Sequence, residues 1–294
     1  MKIEQIMKKY NEILIDFVDE ICYSRPIPNR EYDQIYMRAR NMISQALLVA
    51  KYFKDKDVVF LGDGDGMAIL FTLLIENKII EPFKSILILD FDERIINNSK
   101  RIISNTYFGK HCVKYELYNI INPIPSEFAH KYNTFYINPP YGSKNRGLSC
   151  KLWLYRCFEL CKKEVTGCLI LPNDNIRKWT KENMSEIISF LSVHGLIPFH
   201  VEPEYHRYFL KDDPQLKSSS ILVKGNIKGD NIFEEKPFFA RELKNLYGSP
   251  RVIPKYIYED EKDLKGRKDF TWQFGITDFW ENELSEVINE EQKK

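Results

Sequence analysis

Val58-Val59-Phe60-Leu61-Gly62-Asp63-Gly64-Asp65-Gly66-Met67 decides the fold. Four apolar residues in a row read as a strand buried on both faces, three alternate glycines as a sharp turn, and the apolar run from Met67 as a helix. A turn of this kind brings the backbone close to a ligand and aims free helix N–H groups at it, as a nucleotide-type cofactor requires. Two aspartates inside the turn would repel a pyrophosphate. They suit a ligand with hydroxyls and an ammonium or sulfonium centre, and S-adenosylmethionine has those features. Gly62, Asp63, Gly64 and Asp65 are therefore the first expected cofactor contacts.

From Asp57 onward, short β-branched runs alternate with longer helical ones, the pattern of βαβ units and a mostly parallel sheet. Strands are expected at 58–61, 85–89, 113–117, 134–137, 165–171, 199–204 and 219–223. Helices are expected at 67–77, 93–105, 148–162 and 181–194. A polar loop without helical pattern joins the last two strands, so they read as an antiparallel hairpin. Closing a doubly wound sheet in this way gives the seven-stranded, Rossmann-like α/β fold of adenosylmethionine-dependent class I methyltransferases, a step taken by fold analogy. Residues 1–55 read as a helical extension holding a Pro-broken loop at 24–34, 56–225 as the transferase domain, and 226–294 as an aromatic-rich appendage that covers the sheet, ending in a polar tail.

Two further motifs sit at expected strand ends. Asp90, closing Ile88-Leu89-Asp90, stands where an acid of this fold accepts ribose hydroxyls, whereas Asp92 suits the N-cap of the next helix. Asn138-Pro139-Pro140-Tyr141-Gly142 follows the fourth strand. Its prolines fix the backbone and cannot donate, so the Asn138 side-chain oxygen and the Pro139 carbonyl face outward as acceptors for an amine with two N–H groups. Tyr141 could stack on a planar ring beside it. The Gly-hinged loop carrying Lys144 and Arg146 could close on substrate or reach a phosphate.

The composition narrows the classes. With 294 residues, 44% of them hydrophobic, the chain can bury a full core. Its 43 basic and 42 acidic residues nearly cancel, so nucleic acid is neither required nor excluded as a partner. No apolar run reaches the roughly 20 residues of a membrane span and the N-terminus lacks a signal-like core, so a soluble cytoplasmic protein is expected. The six cysteines include no C-x-x-C pair, and they read as reduced thiols with no metal site.

The motifs resemble the class I S-adenosylmethionine-dependent methyltransferases, whose amino-methylating members carry Asp/Asn-Pro-Pro-Tyr after the fourth strand. Arg25-Pro26-Ile27-Pro28-Asn29-Arg30-Glu31-Tyr32-Asp33-Gln34, the Gly62 loop, Leu89-Asp90-Phe91-Asp92-Glu93-Arg94, Asn122-Pro123-Ile124-Pro125 and Asn138-Pro139-Pro140 together resemble, in order and spacing, the catalytic domain of the branched-chain polyamine synthases, the bis(aminopropyl)spermidine synthases. That resemblance implies transfer of an aminopropyl group from decarboxylated S-adenosylmethionine to a polyamine nitrogen, with Asp33 and Gln34 closing over the cofactor and Tyr32 beside the substrate. The chain departs from that family at Gly64, Asn138 and Tyr141, where it usually carries acids, and at Asn119, where an Asp of this fold often meets the adenine amine. Methyl transfer to a nucleobase-like amine is accordingly the first expectation and aminopropyl transfer the alternative, with a non-catalytic binding or assembly module as a third.

Overall fold

A computed structural model describes residues 3–174, 176–211, 213–229, 238, 243–249, 252 and 254–260. The quoted stretch forms β1 (Asp57–Leu61) and α4 (Met67–Glu76), preceded by α1 (Ile3–Lys9), α2 (Asn11–Ser24) and α3 (Ala39–Phe53). After them come β2 (Ser85–Asp90), α5 (Glu93–Ile103), α6 (Tyr107–Cys112), β3 (Val113–Leu117), β4 (Tyr132–Ile137), α7 (Leu148–Leu160), β5 (Cys161–Pro172), α8 (Lys178–Val193), β6 (Leu196–Arg207) and β7 (Lys217–Asn226). The seven strands lie in one sheet in the order β3-β2-β1-β4-β5-β7-β6. β7 runs antiparallel between β5 and β6, and the other neighbours are parallel. The order reverses between β1 and β4, so their C-terminal tips open the crevice in which ligands of such sheets bind.

The N-terminal helices belong to this architecture for a physical reason. Every residue of α4 from Met67 to Ile75 is buried, and a helix apolar on all sides cannot face water. Leu14, Val18 and Ile21 of α2, with the buried face of α3, form one core cluster with it. Gly66, at φ +74°, begins this helix where an added Cβ would stand 2.7 Å from Ile21. Both its backbone angle and the closeness of α2 call for glycine.

The structure departs from the expected elements where pairing overrides local pattern. The helix expected to run to 162 stops at Leu160, because Cys161 pairs with Tyr132 and Glu164 with Asn226, which draws the segment into β5. The hairpin strands β6 and β7 are longer than expected and carry irregular register near Pro198 and Glu202. Helix α6 was hidden by its shortness; the Thr106 hydroxyl caps it by accepting from Gly109 N at 2.9 Å.

Phe238, Leu243, Leu246 and Tyr247, from the expected appendage, are buried in the core on the α7 side of the sheet. Ile257 forms a parallel bridge to Asp92 beside the end of β2. The expected polar tail lies outside the described residues. Among the described residues no helix is long and apolar enough to cross a membrane, and all six cysteines are free.

Candidate active site

A cavity of about 220 Å³ opens at the tips of β1, β2 and β4. It is lined by Tyr32, Asp33, Gln34, Gly62, Asp63, Gly64, Asp65, Asp90 and the whole Asn138-Pro139-Pro140-Tyr141 motif. The glycine turn and the Asn-Pro-Pro-Tyr turn, 74 residues apart between Gly64 and Asn138, thus face one space.

Each aspartate is held differently. Gly62 takes φ +83°, and the turn it makes folds the Asp63 carboxylate back onto the start of α4, where it accepts from Ala68 N at 3.2 Å. Asp90 accepts from Asp63 N at 2.9 Å and from Asp92 N at 3.0 Å, so it locks the glycine turn to the end of β2. A carboxylate has about four lone-pair sites, which leaves room on Asp90 for ligand hydroxyls. Asp65 accepts from Met37 N at 2.6 Å and from the Asn138 side-chain amide at 2.8 Å. The amide nitrogen of Asn138 is the atom that faces Asp65, which turns the Asn138 oxygen away from that carboxyl. Asp33 sits at φ +56° after the turn Arg30–Tyr32, one of the few residue types that adopt this backbone readily.

Burial raises all four carboxyls above the usual range. Asp33 is raised to about 6 by burial. Asp90 reaches about 7, first through burial and then through the charge of Asp92. Among the described lining residues there is no Lys, Arg or His. The cavity wall thus gathers carboxyls with no basic side chain among the described lining residues, while Arg25 behind Asp65 and Arg30 near Asp33 offset part of their burial.

The loop after α2 forms one wall. Arg25 lies over the Tyr36 ring at 4.6 Å, and the Tyr36 hydroxyl donates to Pro26 O at 3.0 Å. The Gln34 amide donates to Asp92 at 3.0 Å and accepts from Asn29 N at 2.7 Å. Both ends of that amide thus brace the loop against β2. Asp92 caps α5 by accepting from Arg94 N, as its position suggested.

Three expected site residues lie off the cavity wall. Asn119 is fully buried in the turn after β3, where its oxygen accepts from Ile121 N at 3.3 Å. Lys144 and Arg146 are exposed, because Gly147 N and Asn145 N both bond Gly142 O and close the loop upon itself.

An aromatic wall completes the site, and the motifs gave no sign of it. Tyr36, Tyr118, Trp153, Trp179, Tyr208 and Tyr247 all line the cavity. Tyr247 meets Tyr32 at 5.1 Å, Phe91 at 5.9 Å and Trp153 at 6.2 Å between ring centroids. The expected C-terminal appendage thus contributes a ring to the cavity as well as to the core. Aromatic count was the only signal for these residues, since rings at helical or strand spacing read equally as core.

Sheet order, glycine turn and strand-tip acids define the class: the Rossmann-like fold of the class I S-adenosylmethionine-dependent methyltransferases. The family model of the branched-chain polyamine synthase A C-terminal domain matches residues 12–267, and the chain belongs to that family. It is 30% identical over 136 residues to the N(4)-bis(aminopropyl)spermidine synthase of Methanocaldococcus jannaschii, a match covering 46% of this chain and 36% of that protein. The chain matches about a third of the length of such curated relatives. Among solved structures, the branched-chain polyamine synthase of Thermus thermophilus, in complex with N4-aminopropylspermidine and 5'-methylthioadenosine, aligns with a TM-score of 0.59 at 17% identity, covering 77% of this chain and 70% of that one. A proposed RNA methyltransferase of Pyrococcus horikoshii aligns at 0.52 and 16% identity, covering 72% of this chain and 98% of that one.

Proposed function

We propose that the chain transfers an aminopropyl group from decarboxylated S-adenosylmethionine to a polyamine nitrogen. The observation that carries this reading is the set of four aspartates facing the cavity, Asp63, Asp65 and Asp90 buried and Asp33 half-buried, without a basic side chain among the described lining residues. S-adenosylmethionine brings a carboxylate that would meet acids and no cation. The decarboxylated form and a polyamine bring only positive charge to the same walls. Aromatic faces add cation–π attraction for sulfonium and ammonium groups. Kinship with synthases named for bis(aminopropyl)spermidine, one of them captured with 5'-methylthioadenosine, supports the same substrate pair. The first expectation, methylation of a nucleobase-like amine, gives way to this alternative. The basic residues that would have met a phosphate, Lys144 and Arg146, lie off the cavity wall.

Asp90 would take the ribose hydroxyls, while Gly62 and Gly64 let the backbone approach the nucleoside. Asp33 and Asp65 would neutralise ammonium groups, and the Asn138 oxygen would orient the attacking nitrogen. A bound sulfonium would supply an activated carbon: the nitrogen lone pair would form the nitrogen–carbon bond as the carbon–sulfur bond breaks, the electron pair would leave on sulfur as 5'-methylthioadenosine, and any proton on the alkylated nitrogen would pass to water. The chain contributes alignment and charge complementarity.

Acid dependence follows from the raised carboxyls. Asp33 and Asp90 are ionised above about 6 and 7, and a cation favours the ionised form. Affinity therefore rises with pH through that range, and binding there releases protons. Titration calorimetry should show the decarboxylated cofactor bound at least about tenfold more tightly than the carboxylated one, and each cation held roughly tenfold less tightly at about pH 5 than at about pH 8. Tighter binding of the carboxylated cofactor, or affinity that grows on acidification, would contradict the reading.

A further inference from the structure

The cavity is electrically divided along the sheet. Its four aspartates all lie at or before Asp90 in the chain, whereas the described lining residues from Asn138 onward include no carboxyl. This second half is walled by rings instead. Tyr141 follows β4, Trp179 stands in the first turn of α8 and Tyr208 follows β6. The transfer described above gives none of these three rings a task, and no sequence motif pointed to Trp179 or Tyr208.

Separate contacts hold the rings in place. Tyr141 and Tyr208 stand edge to face, with centroids 6.5 Å apart and planes at 73°. The Asn183 side-chain amide donates to the Tyr141 carbonyl at 2.8 Å. Asn183 and Trp179 are one helical turn apart on α8, so the helix face that grips the Asn138-Pro139-Pro140-Tyr141 turn also brings the Trp179 ring to it. The phenol hydroxyls are already engaged. Those of Tyr141 and Tyr208 lie 2.5 Å apart, and Tyr208 meets the wholly buried Ser218 hydroxyl at 2.5 Å. Ser218 also bonds Tyr141, and Asn138 also bonds Tyr208. Whichever way those protons lie, the polar ends of both phenols are satisfied within the wall, and the rings offer a ligand their carbon surfaces.

We infer that Tyr141, Trp179 and Tyr208 form an aromatic subsite for a nitrogen carrying three or four carbon arms, and that Trp179 sets the preference for such a branched nitrogen over a linear one. The inference rests on the polyamine reading and adds how the acceptor is chosen. A linear internal ammonium carries two N–H groups, and the carboxyls that would serve them lie in the other half of the cavity. A third arm removes one N–H and spreads the charge onto the attached carbons, which ring faces attract without hydrogen bonds. A fourth arm leaves a permanent charge with no N–H at all, the kind of ammonium that aromatic cages recognise. Asp65 borders the subsite: its charge acts on both phenols, and it bonds the Asn138 amide.

Titration calorimetry in saturating 5'-methylthioadenosine tests this with two isomers. N4-aminopropylspermidine and spermine contain the same atoms and the same number of nitrogens, the first branched at an internal nitrogen and the second linear. The wild type should bind the branched isomer about tenfold more tightly. Trp179→Leu should weaken the branched isomer about tenfold and spermine by less than about twofold, while Trp179→Phe should keep the preference to within about threefold. The affinity for 5'-methylthioadenosine, measured alone, should stay within about twofold in both variants, which reports a folded site. Equal affinity of the wild type for the two isomers, or a preference that survives Trp179→Leu, overturns the inference and leaves the polyamine reading standing. Equal weakening of both isomers by Trp179→Leu makes the ring a structural support and overturns the inference as well. A wild type that binds neither isomer overturns the polyamine reading itself.

Discussion

Asp90→Asn should bind 5'-methylthioadenosine about 100-fold more weakly than the wild type and unfold at a lower temperature. The first effect follows from the role proposed for the carboxylate, because two hydroxyl donors lose a charged acceptor and hydrogen bonds of that kind contribute roughly 1.5–3 kcal/mol each. The second follows from what Asp90 already does. Both its oxygens accept backbone N–H groups, from Asp63 and Asp92, whereas an asparagine offers one oxygen and sets its amide against the other donor. Leaving that buried donor unsatisfied costs about 1–3 kcal/mol. Calorimetry and thermal melts read the two effects separately. A variant that melts early yet binds the nucleoside as tightly as the wild type would show that Asp90 only holds the turn.

Asn138→Ala has the larger expected effect on turnover and the smaller one on binding. It removes the oxygen that orients the nucleophile, and loss of one such positioned hydrogen bond lowers kcat by about 100- to 1,000-fold. The cofactor contacts stay in place, so 5'-methylthioadenosine affinity should change by less than about threefold. Asn138→Asp is the informative companion. The Asn138 nitrogen lies 2.8 Å from an Asp65 oxygen, and two carboxylates that close must share a proton. Activity of that variant should acquire a steeper dependence on pH than the wild type shows. Steady-state kinetics across pH decides it; a wild-type rate from Asn138→Ala would remove the motif from the chemistry.

What could be read from the chain and what could not separate along a physical line. Strand identity came from β-branched runs bounded by turns, and the core of each of the seven expected strands is found in the sheet. The glycine turn and the strand-end acids were legible because φ above zero and a buried charge each narrow the residue choice sharply. The misplaced residues share a different origin. Lys144 and Arg146 belong to a loop whose direction is set by hydrogen bonds at Gly142 and Gly147, and periodicity carries no information about such closure. Trp153, Trp179 and Tyr208 reach the cavity through tertiary packing, as does Tyr247 from a segment that read as cover for the sheet.

The absence of acids at Gly64, Asn138 and Tyr141 first weighed against a polycationic substrate. Seen in three dimensions, the charge survives by other means: Asp33, Asp63, Asp65 and Asp90 all face the same space, and Asn138 is hydrogen-bonded to one of them. Substitution of single family positions is therefore a poorer guide to substrate charge than the total lining, which only the folded chain assembles.

Mass analysis of spermidine after incubation with the chain, run in parallel with S-adenosylmethionine and with its decarboxylated form, addresses the transfer itself. The cavity of acids predicts that spermidine gains an aminopropyl unit only from the decarboxylated cofactor and that 5'-methylthioadenosine appears in equal amount. Gain of a methyl group from S-adenosylmethionine, with no aminopropyl gain from the other form, would contradict it.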